Sequence, residues 1–106
     1  MTGWIGIDLD GTLAHYDGWK GPDHIGEPVP AMLERVRRYV DHGIPIKIFT
    51  ARASDPDKVS VVKAWLARHG LDLEVTNVKD FGMICLYDDR CRQVEPNTGR
   101  VVGEDD

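Results

Sequence analysis

Trp4-Ile5-Gly6-Ile7-Asp8-Leu9-Asp10-Gly11-Thr12 decides the fold. Trp4 to Ile7 is a short apolar run with β-branched residues, the pattern of a buried strand. At Asp8 acid and glycine replace hydrophobes, so the strand ends in a polar turn. The same change recurs twice more. Ile44-Pro45-Ile46-Lys47-Ile48-Phe49 runs into Thr50-Ala51-Arg52, and Met83-Ile84-Cys85-Leu86-Tyr87 runs into Asp88-Asp89-Arg90. Pro45 is tolerable only near the start of its strand, because it has no N–H to give to a ladder.

Between these strands the periodicity changes from two to 3.6. Val29, Met32, Leu33, Val36, Tyr39 and Val40 form an apolar stripe opposite Glu34, Arg35, Arg37 and Arg38, and Gly43 supplies the stop. Asp55 is the expected N-cap and Pro56 the first residue of a second helix, whose stripe is Val59, Val62, Trp65 and Leu66 before His69-Gly70. Leu73 to Thr76 reads as a short strand. Cys91–Glu95, the turn Pro96–Gly99 and Arg100–Val102 read as a small β-hairpin. Residues 13–28 hold Gly18, Gly21, Pro22, Gly26 and Pro28, which exclude a lasting helix and imply a flap.

Alternating strand and helix predict an α/β domain spanning residues 1–106: a Rossmann-like parallel sheet with helices on both faces. In such sheets ligands bind beyond the carboxyl ends of the strands. Asp8, Asp10, Thr50, Lys79, Asp88 and Asp89 all fall at or just past strand ends, so they can converge from 80 residues apart.

The bulk numbers fit a single small domain. The chain has 106 residues, 42 % hydrophobic and 29 % charged, and no apolar run near the length of a membrane span. No export signal is visible, so a cytoplasmic, non-membrane protein with Cys85 and Cys91 reduced is expected. A net charge of −5 argues against wrapping nucleic acid by bulk electrostatics. It leaves open a site that reads one terminal phosphate. Part of the acid lies in the tail Glu104-Asp105-Asp106, and the informative part is Asp8, Asp10, Asp88 and Asp89.

Singly, each polar group has a plain reading. Asp-x-Asp-Gly suits a turn or an acidic calcium loop, Thr50 a strand-end cap, Lys79 a solvated lysine, and Asp88-Asp89 a turn. His42 and His69 precede glycines at helix ends, where they complement the dipole. Together and in this order, Asp8-Leu9-Asp10-Gly11-Thr12, Thr50, Lys79 and Asp88-Asp89 resemble the four motifs of the haloacid dehalogenase superfamily of phosphohydrolases. The likeness spans residues 4–90.

That resemblance implies phosphomonoester hydrolysis through an aspartyl-phosphate, with Mg²⁺ as cofactor. Asp8 would be the nucleophile and Asp10 the general acid and base. Thr50 and Lys79 would stabilise the transferring phosphoryl. Asp8, Asp10, Asp88 and Asp89 would form the metal site. Gly11, Thr12, Arg52, Trp19 and Lys20 are candidates for substrate contact, with His15, Tyr16 and His24 also on the flap. The gaps leave no room for a cap domain, which favours a large or exposed phosphate. Asp88-Asp89-Arg90 with Gln93-Val94 is similar to the end of the phosphatase part of polynucleotide kinase-phosphatases, which suggests a nucleotide or a nucleic-acid 3′-phosphate. A phosphotransferase, or a phosphate-binding module without catalysis, would share the fold.

Overall fold

The computed structural model describes residues 3–104. In chain order these form β1 (Trp4–Ile7), α1 (Pro30–Asp41), β2 (Ile46–Phe49), a 3₁₀ turn (Ala51–Ser54), α2 (Pro56–Arg68), β3 (Glu74–Thr76) and β4 (Met83–Tyr87). The four strands make one sheet in the order β3-β2-β1-β4, every pair parallel. The α/β, Rossmann-like class expected from the alternation is the class observed. Asp105 and Asp106 of the acidic tail lie outside the described residues.

The register explains the core. Ile5 pairs with Ile46 and Ile7 with Ile48, so these four side chains share one face of the sheet. Ile7 and Ile48 are fully buried there, packed with Val36 of α1 and with Val62, Trp65 and Leu66 of α2. Each such aliphatic side chain contributes about 1.5–3 kcal/mol on burial.

One cluster therefore holds both helices, and both lie on the same face rather than one on each. Handedness gives the reason. β1, β2 and β3 succeed one another in one direction across the sheet, and right-handed crossovers then place both connections on one side. Only the link from β3 to β4 reverses direction and passes the other face. That link, residues 77–82, is too short to hold a helix. On this second face Trp4, Met83 and Leu86 fold over Gly6, where an added Cβ would meet them at 2.9–3.2 Å. The Trp4 indole N–H donates to Asp80 at 2.8 Å and ties the link to the sheet.

The element ends follow local chemistry. Asp55 accepts from the Asp57 amide at 3.0 Å and Pro56 opens α2, as the sequence implies. His42 and His69 occupy the helix C-caps, each followed by a glycine at positive φ. β2 starts at Ile46, not Ile44, since Pro45 has no amide to pair, although its carbonyl accepts from Ile5 at 3.0 Å. The expected C-terminal hairpin is reduced to a single bridge between Val94 and Val101, flanked by Glu95 N–H to Arg100 O and Val102 N–H to Gln93 O, both 2.8 Å. Cys85 and Cys91 are unbridged. Among the described residues no helix is long and apolar enough to cross a membrane.

Candidate active site

Parallel strands end on one edge, and β1, the second strand from the β4 side, delivers Asp8 to it. The Asp8 amide continues the ladder by donating to Tyr87 O at 2.9 Å, which sets Asp8 beside Asp88. Asp8, Asp88 and Asp89 then bring one carboxylate oxygen each within 4.8 Å of the others. This cluster opens into a cleft of about 800 Å³, also lined by Asp10, Tyr16, Trp19, Thr50, Arg52, Lys58, Asn77 and Arg90.

The turn after β1 is built around Asp89. Gly11 has φ +93°, and a Cβ there would stand 2.5 Å from Asp89 Oδ2, so only glycine fits. The Thr12 hydroxyl donates to Asp89 Oδ1 at 3.0 Å and accepts from the Asp89 amide at 3.1 Å. Both residues were expected to face the substrate. Instead they hold an acid in place, and Thr12 is buried while doing so.

The three acids repel. The Asp8 carboxyl is pushed up to about 7, first by burial, then by the neighbouring charge of Asp88 and by Asp89. An all-oxygen donor set of crowded carboxylates suits a hard divalent cation, whose charge would offset that repulsion.

Asp10 is directed away from the cluster. Its two oxygens accept from Arg52 Nε at 2.8 Å and Nη2 at 3.0 Å, so its side chain is not one of the metal-ligand group. Arg52 is only 5 % exposed and also donates to the carbonyls of Pro22 and His24, at 3.1 and 2.9 Å. With four of its five N–H donors engaged, Arg52 joins Asp10 to the flap and has little left for a ligand. Thr50, 3 % exposed, lines the cleft and accepts from the Arg52 amide at 3.2 Å, which leaves its hydroxyl proton free to donate.

Two expected cations lie elsewhere. Lys79 sits on the 77–82 link, exposed and outside the cleft lining, because that link leaves the strand edge to cross the second face. Lys20 pairs with Asp17 at 3.0 Å on the exposed flap, also outside the lining. Lys58, in the first turn of α2, does line the cleft. So do Asn77 and Arg90. Sequence reading passed over Lys58, although a helix that follows a strand end begins at the same edge as the ligand site.

The flap is fastened at its base. Ala14 bridges Pro28, His15 N–H donates to Glu27 O at 2.8 Å, and the Trp65 indole donates to Gly26 O at 3.0 Å. From it Tyr16 and Trp19 reach the cleft, and the Trp19 ring lies 4.8 Å from the Arg52 guanidinium carbon and 5.6 Å from Lys58 Nζ. His15 and His24 do not line the cleft.

No protein-family model and no curated protein matches the chain. Among solved structures it is similar to a conserved protein coded by a locus of Bacteroides thetaiotaomicron. The TM-score is 0.67 at 18 % identity, over 83 % of this chain and 76 % of that one. At that identity the likeness establishes the shared fold.

Proposed function

We propose that the chain is a Mg²⁺-dependent phosphomonoester hydrolase of haloacid dehalogenase type, working through an aspartyl-phosphate on Asp8. The observation that carries this reading is the convergence of Asp8, Asp88 and Asp89 at adjoining strand ends, with Asp10 held apart from them by Arg52. A pure binding site for phosphate has no use for so many acids.

Asp8 and Asp88 would hold the cation, with Asp89 beside them positioned by Thr12. Bound there, Mg²⁺ would neutralise carboxylate and phosphate charge. The remaining chemistry belongs to the chain. An Asp8 oxygen attacks phosphorus and the bond to the ester oxygen breaks, that oxygen taking the proton of an Asp10 carboxyl that enters the cycle protonated. Water then attacks the phosphorus, its proton passes to Asp10, and inorganic phosphate leaves with Asp8 restored. Arg52 occupies one acceptor direction on each Asp10 oxygen, and the second lone pair remains for these transfers. The Thr50 hydroxyl donates to a non-bridging oxygen.

Tyr16 and Trp19 on the cleft wall support an aromatic leaving part, of which a nucleoside 3′-phosphate is the first choice. Hydrolysis of an aryl phosphate tests the core of the proposal: activity should require Mg²⁺ and vanish with EDTA. Equal turnover in excess chelator would overturn the metal-assisted reading.

A further inference from the structure

The cleft contains a cation that the hydrolysis does not use. Lys58 is partly buried in the wall and, among the described residues, has no carboxylate partner. The side chain is not solvated along its length as a surface lysine would be, and it lies against Trp19. Arg52 touches the same ring, but its donors are committed to Asp10, Pro22 and His24. Lys58 therefore brings the uncommitted ammonium to this end of the cleft.

Its position relative to Asp8 follows from the sheet. β1 stands between β2 and β4, so Asp88 and Asp89 flank Asp8 on one side and the elements after β2 flank it on the other. On that second side contacts run outward from Asp10 to Arg52, from Arg52 to Trp19, and from Trp19 to Lys58. The acid that serves the leaving oxygen is thus followed by an aromatic ring and then by a free positive charge. A phosphoryl group over Asp8 would point its leaving part along this series.

We infer that Trp19 and Lys58 form a distal subsite for a second anionic group on the substrate's leaving part. The chemical class is a phosphomonoester that carries another phosphate, as in a nucleoside 3′,5′-bisphosphate or a sugar bisphosphate. The inference rests on the hydrolase reading for its geometry and extends it to substrate class. The cation that the sequence placed on Lys20 is supplied by Lys58.

Binding and turnover separate the two readings. In Mg²⁺, calorimetry on the Asp8→Asn protein compares adenosine 3′,5′-bisphosphate with adenosine 3′-monophosphate, and fructose 1,6-bisphosphate with fructose 6-phosphate. Both bisphosphates should bind about tenfold more tightly than their single-phosphate counterparts, as expected for one charge-assisted contact. Lys58→Met should erase that ratio and Lys58→Arg should keep most of it. If the nucleotide alone shows the advantage, the second phosphate is read together with a base on Trp19; if both do, the charge alone is read. If the wild type hydrolyses an aryl phosphate but the bisphosphates gain nothing, or the gain survives Lys58→Met, the subsite is refuted and the hydrolase stands. If no ester is hydrolysed while Lys58-dependent binding persists, the subsite stands and the hydrolase reading fails.

Discussion

Replacing Arg52 by methionine removes the group on which Asp10 and the flap both depend. The arginine is 5 % exposed and its partner carboxylate 21 %, so the pair is screened far less than a surface bridge. Removing one member of a buried pair costs about 3–5 kcal/mol, mostly from the stranded charge, and partial exposure of Asp10 puts this case near about 3 kcal/mol. The carbonyls of Pro22 and His24 also lose their donors. For a domain of this length about 3 kcal/mol lowers the melting temperature by roughly 12–24 °C. Urea denaturation of the wild type, Arg52→Met, Asp10→Ala and the double variant forms a thermodynamic cycle. The double variant should be more stable than the two single losses added together, by about 1.5–3 kcal/mol, because no charge is left unpaired. A single-variant loss under about 0.5 kcal/mol, or strict additivity, would refute the clamp.

Three other outcomes follow from the site. Asp8 is pushed up to about 7, so the fold favours its protonated form; the unfolded chain ionises first as pH rises, and metal-free stability should fall between pH about 4 and about 7 and then level off. The gap from 3.8 is worth about 4 kcal/mol, or about 2 after discount for solvent screening. Denaturation at several pH values should show that slope, and Asp8→Asn or added Mg²⁺ should flatten it. In rapid-quench kinetics Asp8→Asn should form no phosphoenzyme, whereas Asp10→Asn should slow phosphoenzyme hydrolysis for every substrate and spare phosphoenzyme formation only from aryl esters, whose leaving groups need no proton. Gly11→Ala must displace Asp89 from 2.5 Å and should weaken Mg²⁺ binding at least tenfold by calorimetry, while Lys79→Ala should change it little.

The strand-to-acid transitions were legible because apolar runs and abrupt polar ends are local signals. Asp8, Asp88 and Thr50 needed only the rule that parallel strands finish on one edge. What stayed hidden depended on direction and distance. Which face a helix covers follows from strand order, and strand order is not written in periodicity. Arg52 looked like a ligand contact because a cation after a strand end suits a phosphate; its commitment to Asp10 depends on a pairing 42 residues away. The bond of Thr12 to Asp89 is hidden for a similar reason, since the two are 77 positions apart. Lys79 stands away from the cleft because the link after β3 is too short to turn a helix back to the edge, whereas Lys58 reaches it from the start of α2.

That short link also marks where the molecule has room to grow. Val78 is 62 % exposed and Phe81 fully exposed; the Val78 amide donates back to the Thr76 hydroxyl at 3.0 Å, and the next bonds that fasten the link begin at Asp80. Added chain between Val78 and Lys79 would leave those bonds alone, and the entropic cost of a longer loop rises only slowly with length. Asn77, just upstream, already borders the cleft. A helical insert at this joint would start beside the cleft and have the second face of the sheet to pack on, so the proposed open hydrolase is one insertion away from a roofed one.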